Sequence, residues 1–148
     1  MPKVRRITDA KTLNKIVNRP DVLPLLAPDY ESLDMSGFFK NPNNTALKYG
    51  RVCVLVSALK RKKYDFRYII PEDLRGADGL RAVKEIVNYA FTELHAEAIL
   101  GKVPVDHIRS RVFARALGAM PSGKCRDASG ARCIKYILER AKWEYSAE

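Results

Sequence analysis

Between residues 64 and 94 the hydrophobic period changes from that of a strand to that of a helix, and it changes across glycine. Tyr64, Phe66, Tyr68 and Ile70 alternate with Asp65, Arg67 and Ile69, a strand signature that Pro71 terminates. Leu80, Val83, Ile86, Val87, Ala90, Phe91 and Leu94 then recur on one face of a long helix. Between them lies Pro71-Glu72-Asp73-Leu74-Arg75-Gly76-Ala77-Asp78-Gly79, a loop with two glycines. A strand feeding a helix in this way puts the chain in the mixed α/β class.

The flanking segments extend the same sheet. Thr8 or Asp9 can cap an opening helix that carries Leu13, Ile16 and Val17, and Arg19-Pro20 ends it. A short apolar stretch, 22–26, follows and stops at Pro28, and residues 29–44 read as irregular. Within them Phe38 and Phe39 either pack on the core or line a cleft. Residues 45–48 predict a strand turning at Tyr49-Gly50, and 51–59 a nearly continuous apolar strand buried on both faces. Lys60-Arg61-Lys62-Lys63 joins it to the alternating strand as a solvated hairpin turn. Residues 98–103 read as another strand, halted by Pro104. Asp106 is expected to cap a second helix with Ile108, Val112, Ala116 and Leu117 inside and Gly118 as its stop. One further strand, 133–138, is expected, after which Trp143 and Tyr145 fasten the last segment. No repeat or linker divides residues 1–148, so they read as a single domain.

Composition narrows the function. The chain has 148 residues, 47% of them hydrophobic and 30% charged, which is the make-up of a soluble globular protein. No apolar run is long enough for a bilayer span or a signal peptide, so a cytoplasmic protein is expected, without membrane partners. Lysine and arginine outnumber acids 27 to 17, a formal charge of +10 that favours anionic partners. These cations are dispersed, and neither an aromatic-basic RNA motif nor a helix-turn-helix is present. Nucleic-acid binding is therefore expected to be weak and non-specific. Cys53, Cys125 and Cys133 form no CxxC unit, and His95 and His107 lie far from them in sequence. Neither a structural zinc site nor a disulfide framework is expected, and Cys53 reads as a small buried hydrophobe.

A strand running through glycine into a helix is a general phosphate holder. The first helical amides have no partner within the helix, and the dipole is positive at that end. Arg75, Arg81 and Lys84 add charge nearby. The spacing is neither GxxxxGK[ST] nor GxGxxG, which disfavours P-loop and Rossmann sites.

The strand, the Arg75-Gly76-Ala77-Asp78-Gly79 loop and the amphipathic helix resemble the coenzyme-A-binding segment of the GNAT N-acetyltransferases. The next strand and the helix ending Leu117-Gly118-Ala119 resemble that family's second half, with His107-Ile108-Arg109-Ser110-Arg111 on its Asn-x-x-Ser-Arg position. The order of elements agrees over nearly the whole chain. Asp34 and the Asn41-Pro42-Asn43-Asn44 cluster lie in a segment similar to short GNAT-like proteins of tailed bacteriophages. The resemblance implies one central mixed, mostly antiparallel sheet flanked by about four helices. It implies acetyl-CoA as co-substrate, with its pyrophosphate on Arg75, Gly76, Ala77, Asp78, Gly79 and Leu80. The pantetheine arm would follow the strand end at Ile69 and Ile70, in a splay between that strand and 98–103. An amine acceptor would attack the thioester, with a general base taking its proton and a general acid protonating the thiolate.

The departures from the pattern are specific. Counted from Arg75, the family's loop glycine is Asp78 and its following small residue is Leu80, with Gly79 one residue late. Asp78 repels a pyrophosphate or caps the helix itself. The position that often carries the tyrosine acid is Ala114, and the asparagine position is His107. Tyr64, Tyr68, Glu72, Asp73 and His107 are the titratable groups nearest the expected cleft. His107, on a motif position and able to serve as acid or base, is the catalytic candidate. The leading function is N-acetyl transfer to an unidentified amine. The alternative is a non-catalytic GNAT-fold structural or interaction protein, such as a bacteriophage virion component, with a phage or host protein as partner and the host cytoplasm or the virion as its location.

Overall fold

A computed structural model describes residues 2–143. The chain order is β1 (Arg5–Ile7), α1 (Ala10–Val17), α2 (Leu23–Leu26), α3 (Ser36–Lys40), β2 (Asn44–Tyr49), β3 (Val52–Ala58), β4 (Lys63–Ile69), α4 (Ala77–Thr92), β5 (Ala98–Pro104), α5 (Ile108–Ala116), β6 (Met120–Arg126) and β7 (Arg132–Glu139). The strands form one sheet in the order β1-β2-β3-β4-β5-β7-β6, in which only β4 and β5 run parallel.

Alternation along β3 assigns the two faces of this sheet. Val52, Val54 and Val56 join Leu47, Phe66 and the inner face of α4 in one core cluster. Cys53 and Leu55 belong to a second cluster with Ile7, Ala46, Ile69 and residues of α1 to α3. The strand is buried on both sides, as its apolar run requires. The face expected for α4 is the buried one, from Val83 through Ile86, Val87 and Ala90 to Phe91. Each such aliphatic side chain contributes about 1.5–3 kcal/mol by leaving water.

Asp9 caps α1, its carboxylate accepting the Thr12 amide at 2.8 Å. Phe38 and Phe39 meet edge to face at 5.3 Å and pack on the second cluster. The basic turn holds Arg61 and Lys62 at positive φ. Trp143 lies against Phe91 and donates from Nε1 to Asn88 Oδ1 at 3.2 Å, tying the last segment to α4. Tyr145 lies outside the described residues. No helix among the described residues is long and apolar enough to cross a membrane.

Several expectations need correction. β1, β6 and the single turn of α3 were not expected, so among the described residues the sheet has seven strands and five helices flank it. α5 is capped at His107, not Asp106, and no side-chain capping bond is made there. Its face is also rotated from the expected one. Ile108 and Val112 are 61% and 63% exposed, while Ala114 and Leu117 are buried, because the small Ala114 lets the helix approach the sheet.

Candidate functional site

β4 and β5 pair only at Lys63–Ala98, Tyr64–Ile99 and Asp65–Leu100. Beyond that, β4 stays with β3 as far as Cys53–Ile69, while β5 stays with β7 to Pro104–Cys133. A wedge therefore opens toward the carboxyl ends of both strands, where open α/β sheets receive ligands. The Leu59 amide donates to the Lys63 carbonyl at 2.8 Å. Antiparallel alternation then turns the peptide groups of Lys63, Asp65, Arg67 and Ile69 toward β3 and those of Tyr64, Phe66 and Tyr68 toward β5. The Phe66 carbonyl accordingly looks at Gly101, 3.9 Å from where a Cβ would stand. Phe66 and Tyr68 thus face the wedge with their backbones. Ile69 does not, and its side chain is buried in the α1-side core.

At the wedge mouth the chain makes a 3₁₀ turn, Glu72–Leu74, and enters α4 through Gly76. Gly76 has φ +114°, which glycine reaches at little cost. The first helical bond runs from the Leu80 amide to the Gly76 carbonyl at 3.0 Å. Among the described residues no protein acceptor meets the amides of Ala77, Asp78 and Gly79. These amides and the positive helix end form a place for an anion. Asp78 is exposed within this first turn and does not cap the helix.

Arg75 points away from that place. Its guanidinium donates to the Ile70 carbonyl at 3.2 Å and to the Asp21 carbonyl at 2.6 Å. The Asp21 carboxylate in turn accepts from Arg19 at 3.0 and 3.2 Å and from the Glu72 amide at 2.9 Å. Those bonds, the Arg19 guanidinium first, hold its carboxyl well below the usual range. Arg51 pairs with Asp73. Asp21 is thus the post to which the loop is tied, and nothing in the local sequence pattern marked it.

The other candidates divide clearly. The Tyr64 hydroxyl donates to the Leu94 carbonyl at 3.4 Å. Glu72 is exposed and Asp73 is engaged by Arg51. Tyr68 packs on Phe113 of α5 at 5.4 Å, and burial, then Asp65, push its phenol up. His107 is exposed just past β5, with Nδ1 3.3 Å from Ser110 Oγ.

Two groups not singled out from the sequence also lie here. Asp65 is the last β4 residue paired at the wedge apex, and burial raises its carboxyl against the lowering effect of Lys102 and Arg67. Tyr136 pairs across strands with Gly101 and is buried in the same cluster as Ala114. Its hydroxyl is buried and has no hydrogen-bond partner among the described residues. Leaving such a group unpaired costs about 1–3 kcal/mol.

The open β4 backbone, the three free amides and the orphaned Tyr136 hydroxyl fit a thioester-bearing cofactor with a pyrophosphate. Asp78 is the one charge in the helix's first turn that opposes it.

No known family model and no curated protein matches this sequence. The fold, however, is similar to that of a ribosomal-protein-S5-alanine acetyltransferase from Vibrio fischeri, with TM-score 0.70 and 17% identity over 96% of this chain and 94% of that one. It is also similar to a mutant of the spermidine N-acetyltransferase SpeG from Vibrio cholerae, with TM-score 0.71 and 13% identity over 95% of each chain. Mycobacterium smegmatis RimJ in complex with CoA-disulfide matches with TM-score 0.63 and 10% identity over 76% of this chain and 60% of that one. The mixed α/β architecture is that of the GNAT acetyltransferases.

Proposed function

We propose that this chain transfers an acetyl group from acetyl-CoA to an amine. One observation carries the reading: β4 and β5 part after Asp65–Leu100 and open toward a helix start whose first three amides meet no acceptor among the described residues. The amides of Ala77, Asp78 and Gly79 receive the pyrophosphate, and the wedge-facing backbone of Phe66 and Tyr68 pairs with the pantetheine amides. The acetyl thioester then lies toward the apex. Asp65, whose raised carboxyl holds a proton more readily than an ordinary aspartate, takes the proton of the attacking amine. The Tyr136 hydroxyl supports the departing thiolate with a hydrogen bond, in the cluster where Ala114 leaves the family's usual tyrosine missing. His107 is the alternative proton donor to that thiolate.

The acceptor class follows from charge. A formal +10 repels a polycation such as spermidine and favours an amine on an acidic protein surface. A second reading, a GNAT fold without turnover, is supported by Asp78 in the first turn of α4 and by the engagement of Arg75 with Asp21. Release of free CoA in the presence of a panel of amines and acidic peptides, followed by mass spectrometry, separates the two. Amine-dependent release is expected, and its absence in a protein that melts normally favours the second reading.

A further inference from the structure

Cys125 on β6 and Cys133 on β7 are register partners, and both thiols are free. The Asp127 amide donates to the Ala131 carbonyl at 3.0 Å, closing the hairpin turn. Alternation from that bond makes Cys125–Cys133 a hydrogen-bonded pair, with both side chains on one face and Cα atoms about 5.5 Å apart. That separation lies within the disulfide range of about 4.4–6.8 Å. Cβ atoms in such pairs are about 4.5–5.5 Å apart, whereas a disulfide prefers about 3.8 Å. The strands must therefore draw together slightly, which leaves the bond strained and readily reduced.

The surroundings suit thiol exchange. A surface cavity of about 520 Å³ opens on the pair, lined also by Val105, Lys124, Arg126 and Arg132. Cys133 is buried, its Sγ donates to the Ala131 carbonyl at 3.6 Å, and burial, then Asp127 and Cys125, push its thiol up. Cys125 is half-buried and reachable from the cavity. The same hairpin is bonded to the turn leading to His107, since the Val105 amide donates to the Arg132 carbonyl at 3.1 Å.

We propose that Cys125 and Cys133 form a reversible cross-strand disulfide, making the β6–β7 hairpin a thiol-oxidation site for low-molecular-weight disulfides. The Cys125 thiolate attacks one sulfur of oxidised glutathione, breaking its S–S bond and releasing one glutathione thiolate. The Cys133 thiolate then displaces the second glutathione. Two protein thiols are oxidised, one glutathione disulfide is reduced to two thiols, and the two protein protons pass to them.

The test treats native protein with oxidised glutathione, then denatures, alkylates and maps it by mass spectrometry. Cys53 is fully buried with its thiol pushed up to about 12, so it serves as the silent thiol. The expected product has one alkylated cysteine, Cys53, and linked peptides containing Cys125 and Cys133, together two hydrogens lighter than the same peptides reduced. Excess reduced glutathione should reopen it without denaturant. Cys133→Ser should instead trap a glutathione adduct on Cys125, and Cys125→Ser should leave Cys133 unmodified. Three alkylated cysteines, a bond between two protein molecules, or a stable glutathione adduct on wild-type Cys125 would each overturn the proposal.

Discussion

A methyl group on Gly79 would meet the carbonyl oxygen of Leu74 at 2.6 Å. It would also meet Ile70 Cγ2 at 2.9 Å, so the first turn of α4 is pressed against the end of β4. The glycine one residue late in the family pattern is thus needed for helix–strand packing.

Gly79→Ala therefore sets two effects against each other. Helix propensity would gain about 1 kcal/mol, while forcing a methyl into a backbone oxygen costs about 1–3 kcal/mol. We expect the clash to win, lowering stability measured by urea unfolding. A variant as stable as wild type or more so would show that α4 can move off the strand.

The loop's attachment to Asp21 should appear in the pH dependence of stability. Its folded carboxyl is depressed below the unfolded value of about 3.9, chiefly by Arg19 and then by the Glu72 amide. The stability it contributes is complete above that value and is lost as pH falls below it. Asp21→Asn should lower the melting temperature at pH 7 and shrink the loss between pH 5 and pH 2. Unchanged acid sensitivity in the variant would remove Asp21 as the loop's post.

Much of this was legible in the sequence, for physical reasons that also explain the misses. The β3–β4 hairpin and α4 announce themselves because their burial follows a strict period. β6 could not be read in advance, since Met120-Pro121-Ser122-Gly123-Lys124-Cys125-Arg126 is an exposed edge strand held only by β7. β1 is three residues long, two of them arginine. In α5 the i, i+4 stripe of Ile108 and Val112 pointed to the wrong face, because a small residue, Ala114, makes the contact. The loop and its glycines were visible as a phosphate holder. Asp21, 51 residues from the amide it accepts, and the Tyr136 hydroxyl depend on tertiary placement that no local pattern carries.

Tyr136→Phe tests the orphaned hydroxyl directly. With nothing bound, removing an unpaired buried group should be neutral or should stabilise the fold by up to about 1–3 kcal/mol. If the hydroxyl serves the thiolate, kcat should fall by at least about 10²-fold with little change in KM. A destabilised variant with unaltered kcat would assign the residue to packing alone.

His107→Ala addresses the competing proton donor. The side chain is exposed at the start of α5, so the melting temperature should hold. General acid assistance is worth about 10²–10⁴-fold, and a kcat loss of at least the lower figure is the expected result for that role. Equal turnover of both proteins across a panel of amines would remove His107 from the mechanism and leave Tyr136 as the donor.

The central claim is that the wedge and the free amides of α4 hold acetyl-CoA, and its most direct measure is the melting temperature with and without that ligand. A ligand at about 100 times its Kd stabilises the native state by about 2.7 kcal/mol. At about 2–4 °C per kcal/mol for a domain near this size, a rise of several degrees is predicted at millimolar acetyl-CoA. Asp78→Gly should enlarge it, by about 1 kcal/mol if one repulsion at the helix start is relieved. No shift in either protein would contradict the account.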